Sequence, residues 1–263
     1  MTKIGLIQAS SVSDITANLM SIRAYAAQAQ QSGCEVVCFP ECFLTSYSPE
    51  LSSDLAIRSD SDILQKVSAV AQEFFMDLLV GYMEQCDDLY YITHGLFRRD
   101  GTRAVYRKSH LGKKEQLYFA AGDRLDVFPL STGIKAGFQI CVETHFPDIT
   151  QTLALKGAEI IFAPHAVPRI SGDREKIWNK YIPARSYDNR VFFACCNLWD
   201  EDRFGGGCLI TDPRGECAAA CFDHKPQLLV CDIDMQLATR YRTPGDKPST
   251  QYYPAKRRKE LYE

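Results

Sequence analysis

The sequence predicts an α/β protein, specifically a four-layer α-β-β-α sandwich built from two similar halves. Short apolar runs alternate with amphipathic stretches along the chain, which is typical of α/β proteins and unlike helical bundles or β-sandwiches. A nine-residue pattern also occurs twice, as GCEVVCFPE at residues 33–41 and GAEIIFAPH at residues 157–165. A Lys-x-Gly strand and then a helix precede each copy. Two such β-α-β units would place two sheets face to face, with the helices outside.

The individual helices and strands are predicted from the spacing of apolar residues and from the glycines and prolines that end these elements. A strand at residues 3–9 precedes a helix that begins after Asp14, its expected N-cap, and stops at Gly33. A buried strand at 35–39 then ends at Pro40. Further strands are expected at 79–83, 90–97, 104–107, 134–140, 159–163, 191–196, 208–211 and 228–233. Helices are expected at 62–75, 149–156 and 174–189, and the turn Asp100-Gly101 joins two strands as a hairpin.

The composition is that of a soluble globular protein with a large core. Of 263 residues, 46% are hydrophobic and 24% are charged, and the formal net charge is -3. The chain lacks the excess of positive charge that favours binding to nucleic acid or to an anionic membrane, so we expect a small-molecule partner. No apolar run approaches the ~20 residues of a membrane span, and the start lacks the apolar stretch of a signal peptide. These features favour a cytoplasmic protein without nucleic-acid or membrane partners.

No low-complexity linker separates the two halves, so residues 1–247 are interpreted as one domain. Residues 248–263 form a C-terminal tail with a basic run at 256–259 and no apolar period. This tail is either a solvated terminus or an arm that reaches a second subunit. The eleven cysteines are odd in number and several lie in apolar runs, so most are expected to be reduced core residues.

Several familiar functional motifs are absent from the sequence. It contains no dinucleotide or phosphate-binding glycine loop, no His-Glu-x-x-His and no Gly-x-Ser-x-Gly. Cys34, Cys38 and Cys42 suggest a metal site, but Cys34 and Cys38 flank an extended run and would stand ~13 Å apart. One tetrahedral zinc needs its sulfur ligands within about 4 Å of each other. We therefore expect neither a metal nor a cofactor.

Three residues suited to thiol hydrolysis follow apolar strands. Glu41 follows EVVCFP, Lys108 follows AVYR and Cys141 follows IKAGFQI, and ligands of open α/β sheets bind at the carboxyl ends of strands. A carboxylate, an ammonium and a thiol supply a general base, an oxyanion stabiliser and a nucleophile. Taken singly, Glu41 is equally compatible with a loop charge, whereas Lys108 is more typical of a surface lysine and Cys141 of a core thiol. In the shared arrangement, Lys108 would favour the thiolate and Glu41 would take the proton.

The sequence segments around these residues resemble those of the nitrilase superfamily of carbon-nitrogen hydrolases. The resemblance runs from Lys3 to about Asp234 in a fixed order of blocks: IGLIQA, FPECFLTSY, YRKSHL, GFQICVETHFPD, APHA, ARSYDNRVFFACCN and ITDPRGE. It implies an α-β-β-α sandwich of two halves, which agrees with the internal repeat. It also implies that Glu41, Lys108 and Cys141 are catalytic and that Glu115 is the second glutamate, which supports the lysine. A homodimer or larger assembly, with the C-terminal segment crossing between subunits, is implied as well.

Two departures from this family's pattern concern the substrate. The family typically has an aromatic residue directly after the cysteine and an arginine four positions after it, where this chain has Val142 and His145. Relatives that hydrolyse N-carbamoyl-D-amino acids use arginines in this segment to hold a carboxylate, and residues 141–148 contain none. Either Arg169 substitutes for them or the substrate carries no carboxylate.

The expected function is hydrolysis of a small linear amide or N-carbamoyl amine through a Cys141 thioester. The alternatives are a nitrilase acting on a C≡N bond and a catalytically silent scaffold. Candidate substrate-binding residues lie beyond strand ends or near the segments that contain the catalytic candidates: Tyr47, Tyr118, Val142, Glu143, Thr144, His165 and Trp178. Among these, Val142 would offer its backbone N–H to the oxyanion, and His165 either faces the cleft or is a buried, hydrogen-bonded histidine. Arg185 and Asn189, one helical turn apart, are expected to stabilise the fold.

Overall fold

The computed structural model describes residues 1–242 and 252–261. In this part of the chain two mixed β-sheets pack face to face, and helices cover both outer faces. The predicted four-layer α-β-β-α sandwich is thereby confirmed.

The first sheet contains seven strands. In spatial order they are β13 (Gln227–Ile233), β1 (Thr2–Gln8), β2 (Val36–Cys38), β4 (Asp77–Cys86), β5 (Leu89–Phe97) and β6 (Arg103–Arg107), with β3 (Ile57–Arg58) beside β4. Strands β1, β2 and β4 run parallel, whereas β13, β5 and β6 are antiparallel to their neighbours. The carboxyl ends of β2 and β6, where Glu41 and Lys108 follow, belong to this sheet.

The second sheet contains six strands. In spatial order they are β12 (Cys217–Cys221), β11 (Cys208–Thr211), β10 (Phe192–Asn197), β9 (Ile160–His165), β8 (Lys135–Phe138) and β7 (Phe128–Pro129). Its central strands β8, β9 and β10 run parallel. Cys141 follows β8 and His165 ends β9, so both lie at the same edge of this sheet.

Four longer helices form the outer layers. Helices α1 (Ile15–Gln31) and α3 (Asp62–Glu73) cover the first sheet, and α4 (Pro147–Leu155) and α5 (Arg174–Asn189) cover the second. Two shorter helices are α2 (Ser52–Leu55) and α6 (Met235–Arg242). Asp14 caps α1 as predicted, because its side chain accepts hydrogen bonds from the backbone N–H groups of Thr16 and Ala17.

The internal repeat corresponds to two equivalent β-α-β units, β1-α1-β2 and β8-α4-β9. In both, the glutamate of the repeated motif donates its backbone N–H to the lysine carbonyl of the preceding strand. This bond joins Glu35 to Lys3 at 2.8 Å and Glu159 to Lys135 at 2.7 Å. The similar sequences therefore build similar structures, one in each sheet.

The sheets enclose a central apolar core, and each outer face has a core of its own. Val36 and Cys38 of β2 belong to the central core together with Phe162 of β9. All eleven cysteines lie in the described residues and all are free. Six of them are buried, and Cys217 is exposed. Cys38 and Cys196 meet across the sandwich, with their sulfur atoms 3.9 Å apart.

Part of the predicted tail, residues 252–261, is described and packs near α5. Pro254 is buried, and the guanidinium of Arg190 lies 5.9 Å from the centre of the Tyr253 ring. The remaining tail residues, 248–251 and 262–263, lie outside the described residues. No helix within the described ranges combines the length and the apolar character needed to cross a bilayer.

Candidate active site

Three strand ends bring Glu41, Lys108 and Cys141 together at one edge of the sandwich. The first two come from the first sheet and the cysteine comes from the second. Gly81 of β4 lies directly behind the Glu41 loop, where an added Cβ would stand 2.5 Å from the backbone nitrogen of Cys42. Only glycine at position 81 lets this loop lie so close to the sheet.

Lys108 bridges two buried carboxylates. Its Nζ atom lies 2.7 Å from Oε1 of Glu41 and 2.8 Å from Oε1 of Glu115, and all three side chains are at most 4% exposed. Tyr47 donates its hydroxyl to Oε1 of Glu115 at 2.8 Å, and the Gly112 N–H donates to Oε2 at 2.6 Å. Glu115 is therefore fixed on both oxygens and holds the ammonium in place. The structure brings it to Lys108, as the resemblance implies.

Cys141 begins a 3-10 turn, Cys141–His145, with an unusual backbone conformation. Its φ angle is 53°, in the left-handed region that residues other than glycine seldom adopt and that occurs often at functional sites. The Thr144 hydroxyl donates to the Cys141 carbonyl at 2.8 Å and stabilises this turn. The Cys141 residue is half-buried, whereas Glu41 and Lys108 are almost completely buried. A substrate can therefore approach from the cysteine side.

The charges of the cluster determine which groups are ionised. Burial raises the pKa of Glu41 to about 7, against the opposing charge of Lys108. Burial also raises the pKa of Cys141, and the nearby Glu41 charge raises it further; Lys108 and the Ala166 backbone N–H lower it by less. For Lys108, burial lowers the pKa, but the charges of Glu41, Cys141 and Glu115 outweigh it, so the pKa is raised. The resting cluster is a neutral thiol beside an ammonium.

This ionisation state modifies the sequence-based expectation for the cysteine. Lys108 does favour the thiolate, but burial and Glu41 have the larger effect. An attack by this sulfur would therefore require the thiol proton to leave during the attack. Oε2 of Glu41 is buried and has no hydrogen-bond partner among the described residues, so it is available to accept that proton.

Glu143 connects the lysine loop to the cysteine turn. Its Oε1 accepts hydrogen bonds from the Tyr106 hydroxyl (2.7 Å) and from the Ser109 N–H (2.7 Å) and hydroxyl (2.5 Å). Its Oε2 accepts from the Ile140 N–H at 2.6 Å. Because the side chain is fully buried and both oxygens are engaged, Glu143 is placed to position Lys108 and Cys141 rather than to contact a substrate.

We expect Glu143→Gln to lower kcat more than it raises KM. The amide has the same shape but faces at least one of these N–H donors with its own NH2 group, which leaves a buried donor unpaired. An unpaired buried donor lowers the free energy of unfolding by about 1–3 kcal/mol. Denaturant unfolding should measure this decrease. The exposed Glu201→Gln is the control and should change neither quantity. A Glu143→Gln enzyme with wild-type kcat and stability would contradict the positioning role.

The other predicted pocket residues differ in their surroundings. Tyr118 is 36% exposed, and Val142 is half-buried beside the cysteine. Trp178 is fully buried, with its ring centre 4.8 Å from that of His165. His165 is buried and bonds the Ala163 carbonyl through Nδ1 at 2.7 Å, which matches the second of its two interpretations. Burial lowers the pKa of His165 to about 3, so the ring is neutral near pH 7.

Helix α5 contacts the cysteine turn from outside. The Tyr181 hydroxyl lies 3.1 Å from Oγ1 of Thr144, and Nε of Arg185 donates to the Thr144 carbonyl at 3.3 Å. Asn189 donates to the Arg185 carbonyl at 2.9 Å. Arg185 thus contacts the turn that contains Cys141 and stabilises the fold there.

Sequence reasoning missed several residues that shape the site: Tyr106, Ser109, Ala166, Arg174 and Tyr181. Helical spacing from the predicted pocket residue Trp178 could have identified Arg174 and Tyr181, which lie one turn to either side. No local pattern identifies Tyr106, because its hydroxyl reaches Glu143, which is 37 positions away in the chain.

Comparisons with known proteins find similarity along most of the chain. The family model for carbon-nitrogen hydrolases matches residues 3–243. A Pseudomonas protegens protein named "Hydrolase in pqqF 5'region" is 32% identical over 263 residues, covering 95% of this chain and 86% of the relative. An omega-amidase of Xenopus laevis is 28% identical over 230 residues, covering 82% of each chain.

A solved structure shows the same fold. A variant of the amidase from Nesterenkonia sp. AN1 superimposes with a TM-score of 0.85 at 23% identity, covering 99% of this chain and 95% of that one. In that structure the acetamide moiety of fluoroacetamide is covalently added at the active-site cysteine.

Proposed function

This chain belongs to the carbon-nitrogen hydrolase family of the nitrilase superfamily, and we propose that it is an amidase whose nucleophile is Cys141. The single observation that carries this proposal is the buried, unpartnered Oε2 of Glu41 in a cluster with Cys141 and the Lys108 ammonium. These groups supply the base, the nucleophile and the cation that acyl transfer requires. The omega-amidase among the relatives supports a linear amide as the substrate.

In the first half of the reaction, Cys141 Sγ attacks the amide carbonyl while Oε2 of Glu41 removes the thiol proton. The carbonyl oxygen becomes an oxyanion, to which Lys108 and the Val142 backbone N–H donate. When the tetrahedral intermediate collapses, the C–N bond breaks and Glu41 returns the proton to the nitrogen. Ammonia or a primary amine leaves, and the acyl group remains on Cys141 as a thioester.

In the second half, water attacks the thioester and Glu41 removes its proton. The C–S bond breaks, the sulfur is reprotonated, and the carboxylic acid leaves. Lys108 keeps its proton throughout, because the carboxylates on both of its sides raise its pKa. Glu115 acts by holding Lys108 and touches no reacting atom.

Ammonia release from paired amide and nitrile substrates tests the proposal. We expect the purified protein to release ammonia from short linear amides and not from the corresponding nitriles. A preference for nitriles would favour the alternative of a nitrilase. The scaffold alternative would be favoured if an electrophilic amide probe failed to label Cys141 in the folded protein.

The pH dependence of kcat/KM provides a second check. Because the base must be ionised and burial raises the pKa of Glu41 to about 7, kcat/KM should fall as the pH drops below about 7. The fall should approach about tenfold per pH unit. Above pH 7 the rate should level off up to pH 9, since the pKa of Cys141 is raised above its ordinary value of 9.0. An acid limb centred near 4.5, the ordinary value for glutamate, would contradict this role of Glu41.

A further inference from the structure

A cavity of about 330 Å³ lies at the N-terminal end of helix α5 and is lined by two arginines. Arg169, Arg174 and His224 line it together with the small residues Gly205 and Gly206 and the ring of Phe222. This volume is at the lower end of the ~300–1,000 Å³ of typical small-molecule pockets. It suits a ligand of a few carbon atoms rather than a peptide.

The cavity is connected to Cys141 through helix α5 and through the segment after β9. Arg174, Trp178, Tyr181 and Arg185 share one face of α5, at helical spacings of four, three and four. Tyr181 and Arg185 on that face contact Thr144 in the cysteine turn. Arg174 lies on the same face of the helix, about two turns before Tyr181.

Arg169 approaches from the other side. It lies three residues after Ala166, whose backbone N–H lies within hydrogen-bonding reach of the Cys141 sulfur. The segment that carries Arg169 therefore passes directly beside the nucleophile. Both arginines line the cavity at the N-terminal end of α5.

Neither arginine has a carboxylate partner among the residues that the structure describes. Arg174 donates only to main-chain carbonyls, to Ser171 at 2.8 Å and Gly172 at 3.4 Å. Arg169 donates to the Asp200 carbonyl at 2.6 Å, and its Nε is buried without a partner. Each guanidinium thus retains donors for a ligand.

In the described part of the chain the acidic residues of the cavity form no ion pair with either arginine, although the charge of Asp173 acts on Arg174. Asp173 caps α5 by accepting the Lys176 N–H at 3.2 Å, and it pairs with the Lys176 ammonium at 3.4 Å. Glu175 is exposed to solvent. A planar guanidinium donates two parallel hydrogen bonds to the two oxygens of a carboxylate. Neutral or cationic groups of a ligand cannot accept this pair of hydrogen bonds in the same way.

We propose that the cavity is a carboxylate subsite and that the substrate is a short linear amide with a carboxylate at its far end. Arg174 is the principal contact, and Arg169 assists it. This inference rests on the proposed amidase function, since it names the substrate class of the same site.

Three amides of similar length provide the test: glutaramate (anionic), pentanamide (neutral) and 5-aminopentanamide (cationic). We expect the wild-type protein to hydrolyse glutaramate with the highest kcat/KM. Arg174→Gln should lower the glutaramate-to-pentanamide ratio of kcat/KM about 10- to 100-fold, the range expected for hydrogen bonds to a charged group. Arg174→Lys should keep part of the ratio, and Arg169→Gln should lower it less. The control Arg23→Gln, on the outer helix α1, should leave the ratio unchanged.

Binding separates this inference from the proposed function. Calorimetry on the Cys141→Ala protein should detect glutaramate more readily than pentanamide, and Arg174→Gln should remove the difference. Equal binding of the two amides, a preference for 5-aminopentanamide or an unchanged ratio in Arg174→Gln would overturn the subsite. If no amide is hydrolysed, the amidase proposal fails, and the binding comparison still decides whether the cavity selects a carboxylate.

Discussion

Replacing Cys141 with alanine should abolish turnover, with kcat lower by a factor on the order of 10⁶. The sulfur is the only atom of the cluster that forms a bond to the substrate carbon, so the remaining groups have nothing to activate. The variant should remain folded, because Cys141 is half-buried and alanine removes a single atom from it. Ammonia release measures the loss, and mass spectrometry of wild-type protein mixed with a slow amide should show an acyl adduct on the peptide that contains residue 141.

The neighbouring Cys42 is the matched control for this experiment. It is fully buried, and its pKa is raised well above the ordinary value by burial and by the charge of Glu41. Cys42→Ala should therefore retain the covalent adduct on residue 141. Wild-type turnover in Cys141→Ala, or an acyl adduct on a peptide without residue 141, would show that the nucleophile has been wrongly assigned.

Replacing Lys108 with methionine should damage both stability and catalysis. The change leaves Glu41 and Glu115 buried without the cation between them, and breaking such a buried pair costs about 3–5 kcal/mol. Catalysis also loses a donor to the oxyanion, which lowers kcat about 10²- to 10³-fold. Denaturant unfolding and steady-state kinetics measure the two effects separately.

The instability of Lys108→Met should depend on pH in a defined direction. Without the ammonium, which lowers the pKa of Glu41, burial raises the pKa of this carboxyl further above that of the unfolded chain. Stability is then present at low pH and is lost as the pH rises from about 5 to about 8. The double variant Lys108→Met/Glu115→Gln should recover part of the stability, because one of the two opposed charges is gone.

The control for the lysine is Lys114, which lies in the same loop. Its side chain is 65% exposed, and it pairs with the exposed Glu50 at 3.4 Å, a type of contact that contributes at most about 1 kcal/mol. Lys114→Met should therefore remain close to wild type. Equal losses in the two variants would show that the buried cluster has no special role in the fold.

The sequence predicted most of the fold because its signals are local. Asp14 and Gly33 mark the ends of α1, and α5 spans the predicted residues 174–189. Strand β12 was missed because its sequence, CAAAC, has neither β-branched nor aromatic residues, and it is held as a strand by pairing with β11. Helix α6 was missed because it is short and largely polar.

The candidate site was predictable only in part. Residues at strand ends could be identified one by one, and the family resemblance supplied the lysine partner Glu115. The surroundings of Glu143 could not be predicted, because its partners belong to the other sheet and meet it only after the sheets pack. Tyr106 lies in strand β6, and Ser109 lies in the loop that follows it. A sequence position near the nucleophile does not distinguish a side chain that faces the substrate from one that faces inward.

Other expectations remain predictions. The homo-oligomer stays a prediction because the structure contains a single chain. The domain boundary between residues 247 and 248 stays a prediction because it lies outside the described residues 1–242 and 252–261. A sedimentation measurement would establish the subunit number.

The division of the reacting groups between two sheets has a consequence for any shortened form of the protein. A fragment that stops before β7 would contain Glu41, Lys108 and Glu115 but no attacking sulfur. The complementary fragment would contain the sulfur without its base. Under the proposed mechanism neither half is a minimal enzyme, and hydrolysis can begin only after the two β-α-β units have docked. Recovered activity during refolding would then report that docking event.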